Sequence, residues 1–178
     1  MSTSVNPKIL VIAYGNRDRQ DDGAGWHILA QAASQLGLQA PELPGEWTES
    51  EDGSLRLLYL YQLLPELAED LIDYAQVIFM DAHNSVELPK LVFEPVEPAW
   101  EHSAFTHHLS IGEMLAITQT LYGRCPPAWM LSVRGYAFEF SQTLSPRTAA
   151  LVNQAADLLC SHLQQEPSPN PPKPYREE

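Results

Sequence analysis

An apolar run that ends in a turn carrying two adjacent acids constrains the fold more than any other feature of this chain. Residues 9–14 read Ile-Leu-Val-Ile-Ala-Tyr, and Gly15-Asn16 and then Asp21-Asp22-Gly23 follow. A continuous apolar run of this length is typical of a strand that is buried on both faces, as in a parallel sheet. The chain must therefore cover both faces of a sheet and place its carboxylates just beyond the end of a strand.

Strand and helix patterns alternate along the rest of the chain. Further strands are predicted at residues 55–61, 77–80 and 128–133, and residues 86–94 suit either an edge strand or a loop. Helical spacing of apolar residues begins near Ala24, Pro65, Ser110 and Ser145. The pattern predicts an α/β fold: a single three-layer α/β/α domain over residues 1–163, with a mostly parallel central sheet of about five strands.

Local signals mark the ends of the last two helices. Ser110 followed by Glu113 forms a capping-box pattern, and Gly123 is a suitable stop for the same helix. Ser145-Pro146 places a cap and then a proline at the first position of the final helix.

Two segments of the chain show neither helical nor strand periodicity. Residues 40–54 are acidic and predict a loop, and residues 164–178 predict a disordered, proline-rich tail.

Composition and missing motifs exclude several classes of function. A net charge of −13 disfavours nucleic acid and anionic membranes as partners, because both bind clustered Lys and Arg. The sequence has no dinucleotide fingerprint, P-loop, HExxH zinc motif or GxSxG elbow. No apolar run approaches the roughly 18 residues of a membrane span, and the two cysteines form no framework, so we expect a cytoplasmic protein.

Asp22 and Asp81 are the first candidates for a functional site. Asp81 directly follows the apolar run 77–80, and ligands of open parallel sheets bind beyond the carboxyl ends of the strands. If the two strands are neighbours, the carboxylates converge, and a cation or a shared proton would relieve their repulsion. The alternative is structural, because acids at a helix start contribute roughly 0.3–1 kcal/mol and acids after strands form Asx turns.

Histidines could complete such a site. His102, His107 and His108 lie within seven residues, in the loop before the third predicted helix. Imidazole together with carboxylates suits Zn, Ni, Fe or Mn, although the same spacing also suits a surface cluster. The other histidines are weaker candidates or helix residues that we expect to face solvent or pack: His83, His27 and His162.

Four segments together resemble the hydrogenase maturation proteases, the endopeptidases that process the large subunit of nickel-iron hydrogenases. They are Gly15-Asn16 with Asp21-Asp22-Gly23-x-Gly25, Val77 to Asp81-Ala82, the helix entry from His107, and Phe138-Glu-Phe140 with Leu144-Ser145-Pro146, the last similar to a C-terminal strand and helix start of the family. They occur in the order of the family and span most of residues 8–163. Residues 61–69, Tyr-Gln-Leu-Leu-Pro-Glu-Leu-Ala-Glu, look most like the subgroup that serves bidirectional, NAD(P)-linked hydrogenases.

The resemblance implies a metal-dependent aspartate and histidine endopeptidase. Its metal-contacting and catalytic residues would map to Asp22, Asp81 and His107, with His108 as a one-residue alternative, and Asn16 and Asp21 would support the turn. The implied substrate is the hydrogenase large-subunit precursor, whose C-terminal extension is removed only after nickel insertion. Nickel carried by the substrate would be the recognition handle.

Sequence leaves both the chemical step and the class of function open. The ion, or a water on it, could polarise the scissile carbonyl, or one aspartate could act as a general base on water. A noncatalytic, metal-sensing assembly chaperone for the precursor is the main alternative function. A small-molecule hydrolase on a similar sheet is another, and it would need a pocket deep enough to enclose a metabolite.

Overall fold

The computed structural model describes residues 8–100, 108–165 and 174–177. The strands and helices over these residues are β1 (Ile9–Tyr14), α1 (Ala24–Gln35), β2 (Trp47–Glu49), β3 (Leu55–Leu60), α2 (Leu67–Leu71), β4 (Gln76–His83), β5 (Leu91–Val96), α3 (Ile111–Tyr122), β6 (Ala128–Arg134), α4 (Pro146–Leu163) and β7 (Tyr175–Glu177). A 3-10 turn at Gln20–Gly23 leads from β1 into α1.

Four parallel strands form the centre of the sheet. The strand order over the described residues is β2-β3-β1-β4-β6-β5-β7, and β3, β1, β4 and β6 are parallel. The outer strands β2, β5 and β7 pair antiparallel. The chain passes from β1 to β3 on one side and returns to β4 on the other, so the strand order reverses between β1 and β4. The crevice at their carboxyl ends is therefore the favoured ligand position of this sheet.

Helices cover both faces of the sheet, which confirms the predicted three-layer α/β/α fold. On one face, α1 and α4 pack with Val11 and Ala13 of β1. On the other, α2 and α3 pack with Leu10 and Ile12. Successive side chains of β1 enter the two cores alternately, which is why this strand is apolar throughout. Among the helices of the described part of the chain, none has the length and apolarity that crossing a membrane requires.

The predicted helix caps are present. The Ser110 hydroxyl accepts from the backbone N–H of Glu113 at 3.2 Å, and the Glu113 carboxylate accepts from the backbone N–H of Ser110 at 3.0 Å. Gly123 ends α3 with φ at 68°. Ser145 caps α4, whose first residue is Pro146. Because α3 leads into the amino end of β6, its own capped start lies toward the carboxyl edge of the sheet.

The sheet is wider than the sequence predicted. It has seven strands over the described residues, not about five, because two three-residue strands join its edges. β2 lies inside the predicted loop 40–54. β7 lies inside the predicted disordered tail, so that prediction is wrong for Tyr175–Glu177. Both short strands form because an edge strand presents unpaired backbone groups that a nearby segment can satisfy.

Three other boundaries differ from the prediction. β4 continues past the predicted end at residue 80 to His83, because β6 keeps pairing with it. α2 covers only Leu67–Leu71 of the predicted helix 65–75. Residues 138–140, which the family resemblance implied to be a strand, form a loop, and in this region only an isolated bridge between Arg19 and Ser141 is described.

The start of α1 lies very close to the ends of β1 and β4. A Cβ on Gly25 would lie 2.6 Å from the Met80 carbonyl oxygen and 3.1 Å from that of Tyr14. We predict that Gly25→Ala lowers the free energy of unfolding by about 1–3 kcal/mol, because the helix must move away from the strand ends. Urea denaturation at neutral pH measures this loss.

Gly112→Ala is the matched control. Gly112 is also the second residue of its helix, but its Cβ would come no closer than 3.4 Å to Ala99. This variant should be neutral or more stable by up to about 1 kcal/mol, since alanine favours the helix. Equal destabilisation by the two substitutions would show that the close approach at Gly25 is unimportant.

Candidate active site

The turn after β1 brings Asp22 back over the end of that strand. Gly15 has φ at +126°, and a Cβ there would collide with the carbonyl oxygen of Asp22, so the approach requires glycine. The backbone N–H of Asn16 donates to Asp22 Oδ2 at 2.9 Å, and Asn16 Oδ1 accepts from the backbone N–H of Asp18 at 2.9 Å. Gly15-Asn16 therefore fixes the half-buried Asp22 carboxylate at the carboxyl end of β1.

Asp81 lies on β4 at the first position that β1 no longer covers. The pairing of β1 with β4 ends at Ala13 and Met80, whereas β6 continues alongside Asp81. By strand alternation the Asp81 side chain shares the face of Phe79, which packs with α2 and α3. Asp81 Oδ1 accepts from the backbone N–H of Ala82 at 2.6 Å. The carboxyl group therefore lies at the point where the strand order reverses.

The two carboxylates are electrostatically coupled. Burial raises the pKa of Asp81, and the charge of Asp22 raises it further. Hydrogen bonds from Ala82 and Tyr14 oppose this only in part, so the pKa reaches about 7. Burial and the Asp81 carboxylate also raise the pKa of the Tyr14 hydroxyl well above its usual value. The structure thus brings Asp22 and Asp81 within electrostatic range, in a setting that a cation or a proton would stabilise.

The third predicted residue, His107, lies outside the described residues, as does His102. His108 is described and exposed, two residues before the Ser110 cap of α3. Within the described ranges, no three His, Cys, Asp or Glu side chains are arranged to hold a metal ion. The assignment of a third ligand to His107 or His108 therefore stays a prediction.

The other described histidines make structural contacts. His83 Nε2 donates to the Pro89 carbonyl oxygen at 3.0 Å, which leaves Nδ1 to accept from Ser132 Oγ at 2.7 Å. His162 packs against two aromatic rings. Burial lowers the pKa of His27, His83 and His162, so these imidazoles are held in the neutral form.

Asp21 is the supporting residue of the site, and its partners could not be predicted from the sequence. It is fully buried. Its carboxylate accepts backbone N–H bonds from Tyr136 at 2.7 Å, Ala137 at 2.9 Å and Ser145 at 2.8 Å. It also accepts hydroxyl bonds from Ser145 at 2.7 Å and Thr148 at 2.8 Å. Burial raises the pKa of Asp21, but these hydrogen bonds outweigh burial and the net shift is downward.

The Asp21 contacts join three elements into one unit. The carboxylate lies in the 3-10 turn, and its donors belong to the residues after β6 and to the first turn of α4. Asp22 is the next residue along the chain, so the same contacts hold the backbone of the catalytic candidate. The only sign of the role of Asp21 in the sequence is the Asp21-Asp22 pair itself, and the pair does not show which of the two acids is buried.

We predict that Asp21→Asn destabilises the protein by about 2–4 kcal/mol at neutral pH. The NH2 group of asparagine is itself a donor and would face N–H and O–H donors whose hydrogen bonds the carboxylate accepts. Since the pKa of Asp21 is lowered by folding, its contribution is present above the unfolded pKa of about 3.9 and is lost as pH falls through the folded value. The difference between the variant and the wild type should therefore shrink below about pH 4. Urea denaturation across pH 3–7 measures it.

Asp18→Asn is the control for this experiment. Asp18 lies just before the 3-10 turn that holds Asp21, and the one hydrogen bond described for its side chain is an exposed one, accepted from Gln142 at 2.7 Å. Asp18→Asn should lower the free energy of unfolding by less than about 1 kcal/mol. A loss for Asp21→Asn no larger than that of the control would contradict the proposed role of the buried carboxylate.

Asp81→Asn should change stability in the opposite direction to Asp21→Asn. Because the folded pKa of Asp81 is raised to about 7, the native state holds a proton that the unfolded chain releases, and stability falls as pH rises from about 4 to 7. In metal-free buffer the asparagine variant should therefore be about 2–4 kcal/mol more stable than wild type at pH 8 and nearly equal at pH 4. A variant that is less stable at pH 8 would show that the Asp81 charge is well compensated.

Comparison with known proteins identifies the fold. No protein-family model and no curated protein matches this chain. Among solved structures, the hydrogenase-maturating endopeptidase HybD from E. coli is similar, with a TM-score of 0.67 and 21% identity over 88% of this chain and 92% of that one.

Two archaeal structures are also similar. The [NiFe] hydrogenase maturation protease HybD from Thermococcus kodakarensis has a TM-score of 0.61 and 19% identity over 89% of this chain and 99% of that one. HycI from the same organism has a TM-score of 0.62 and 15% identity over 91% and 96%. The chain therefore has the fold of hydrogenase maturation endopeptidases over nearly its whole length.

Proposed function

We propose that this protein is a cytoplasmic endopeptidase that removes the C-terminal extension from the precursor of a nickel-iron hydrogenase large subunit. The substrate is the nickel-loaded precursor, and its inserted nickel is the recognition handle. The observation that carries the proposal is the Asp22 and Asp81 pair at the β1 and β4 reversal point, on a fold shared with hydrogenase maturation endopeptidases.

The electrostatics of this pair support recognition of a cation. Burial and the neighbouring Asp22 leave Asp81 with a pKa of about 7, so its charged form lacks compensation in the free protein. A cation held by the substrate would supply that compensation, and an empty precursor would not. The binding difference between the two precursors would then select for completed nickel insertion.

His107 is proposed as the third contact to the ion. The capped start of α3 lies toward the carboxyl edge of the sheet, and His107 precedes the Ser110 cap by three residues in the sequence. An imidazole together with two carboxylates is a donor set that suits nickel and its neighbours in the first transition row. The alternative residue, His108, is exposed beside the same cap.

Two roles for the aspartates are compatible with hydrolysis. Asp81 has a pKa close to neutral, which suits a general base that takes a proton from the attacking water. In the second route, both aspartates orient the substrate around its ion, and the ion polarises the scissile carbonyl. In both routes Asn16 and Asp21 hold Asp22 in place.

The test is to mix the purified protein with nickel-loaded and nickel-free precursor and to follow the length of the precursor on a gel. The loaded precursor should become shorter and the empty one should not. Binding of the loaded precursor without any cleavage would favour the noncatalytic assembly chaperone. Cleavage of both precursors at equal rates would contradict the role of nickel as a handle.

Substitutions identify the residues responsible. We predict that Asp22→Ala, Asp81→Ala and His107→Ala each reduce processing by at least about 100-fold, because each removes a group that contacts the reacting centre. Two matched controls should retain processing: Glu51→Ala, an exposed carboxylate in the turn between β2 and β3, and His108→Ala. Loss of activity in His108→Ala with a normal His107→Ala would move the histidine assignment by one residue.

The hydrogenase type is a further part of the proposal. Residues 61–69 follow β3 at the carboxyl edge, and their resemblance supports the subgroup that serves bidirectional, NAD(P)-linked hydrogenases. Offering the protein precursors of a bidirectional and an uptake hydrogenase in one assay tests this. Preferential processing of the second precursor would contradict the subgroup assignment.

A further inference from the structure

Two loops at the carboxyl edge of the sheet carry the most exposed large apolar side chains of the described residues. Phe140 is 90% exposed in the loop after β6, and Val86 is 84% exposed in the loop after β4. Fully burying a side chain of this size contributes about 1.5–3 kcal/mol, so leaving both in water gives up a sizeable stabilisation. Their common position at one edge suggests a common purpose.

The Phe140 loop is held rigidly along its length. The Asp21 carboxylate binds the backbone at both ends, at Tyr136 and at Ser145. Between these points the backbone N–H of Gln20 donates to the Ser141 carbonyl at 2.7 Å, and the Ser141 N–H donates to the Asp18 carbonyl at 2.9 Å. The backbone of the loop is therefore fixed although the phenyl ring at its tip is exposed.

The Val86 loop is held in a comparable way. The Arg134 guanidinium donates to the backbone carbonyls of Val86 and Leu88, and His83 donates to the carbonyl of Pro89 at 3.0 Å. These donors come from the ends of β6 and β4; Asp81 lies on β4, and β6 pairs alongside it. Both exposed side chains therefore project from preformed loops next to the proposed catalytic edge.

Charge indicates the chemistry of the partner. Glu139 is exposed immediately before Phe140, Glu87 is exposed immediately after Val86, and the whole chain has a net charge of −13. An apolar side chain beside an acid is complementary to an apolar depression bordered by Lys or Arg. A protein surface can offer two such depressions at once, whereas a metabolite cannot.

We propose that Phe140 and Val86 form a two-point docking surface for the protein substrate, which contacts apolar depressions with basic rims next to the segment that is cleaved. The inference rests on the proposed function for the identity of the substrate. Because the backbone of each loop is already fixed, docking orders few additional groups, which favours affinity. Neither residue touches the reacting atoms, so both are specificity-determining residues and not catalytic ones.

The test measures processing kinetics and precursor affinity in parallel. Phe140→Ala should raise KM for the nickel-loaded precursor about tenfold and weaken its binding by a similar factor, with kcat within about twofold. Val86→Ala should raise KM about threefold. Phe140→Leu keeps an apolar side chain and should recover most of the loss.

Leu121→Ala is the matched control. Leu121 is 66% exposed near the end of α3, toward the amino edge of the sheet, so its removal should leave KM and affinity unchanged. Unfolding in urea should be the same for all four variants, since the altered side chains are exposed.

The outcomes separate this inference from the proposed function. Processing by wild type with normal KM and affinity in Phe140→Ala would overturn the docking surface and leave the peptidase intact. Tight binding without processing, weakened by Phe140→Ala, would support the docking surface and overturn the peptidase. A wild-type protein that neither binds nor processes the precursor would overturn both.

Discussion

A buried carboxylate requires either hydrogen-bond donors or a cation, and this requirement organises the carboxyl edge of the sheet. Asp21 obtains five donors from the residues after β6 and from α4, and its pKa is lowered. Asp81 obtains far less compensation, and its pKa rises to about 7. The first carboxylate stabilises the fold. The charged form of the second is poorly compensated, so in the free protein it takes up a proton near pH 7, which is the property expected of a carboxylate that binds a cation when one is supplied.

The same hydrogen bonds connect stability with recognition. Asp21 fixes the backbone beside Asp22 and also both ends of the loop that carries Phe140. The proposed metal contact and the proposed docking residue therefore belong to one rigid unit, attached to the start of α4. A substrate that fits the docking surface would be positioned relative to Asp22 without a further conformational change. Such prior ordering reduces the free energy lost on binding.

The sequence predicted the layers of the fold well because each central strand and helix has a clear period. β1 matches the predicted residues, and the Ser110 and Ser145 caps lie where they were expected. The two edge strands were missed because three residues carry no period, and their pairing depends on a neighbour distant in sequence. The proximity of Asp22 and Asp81 followed from strand order. The partners of Asp21 did not, because hydrogen bonds to residues 136–148 leave no mark on the local pattern.

In the proposed function, Asp22 and Asp81 bind a metal ion that the substrate delivers. Nickel-edge X-ray absorption tests it most directly, using the nickel-loaded precursor alone and in a rapidly frozen mixture with this protein. We expect additional oxygen or nitrogen scatterers at about 2.0–2.2 Å in the mixture, and their loss with Asp81→Ala. A nickel spectrum that does not change when wild-type protein binds would contradict it.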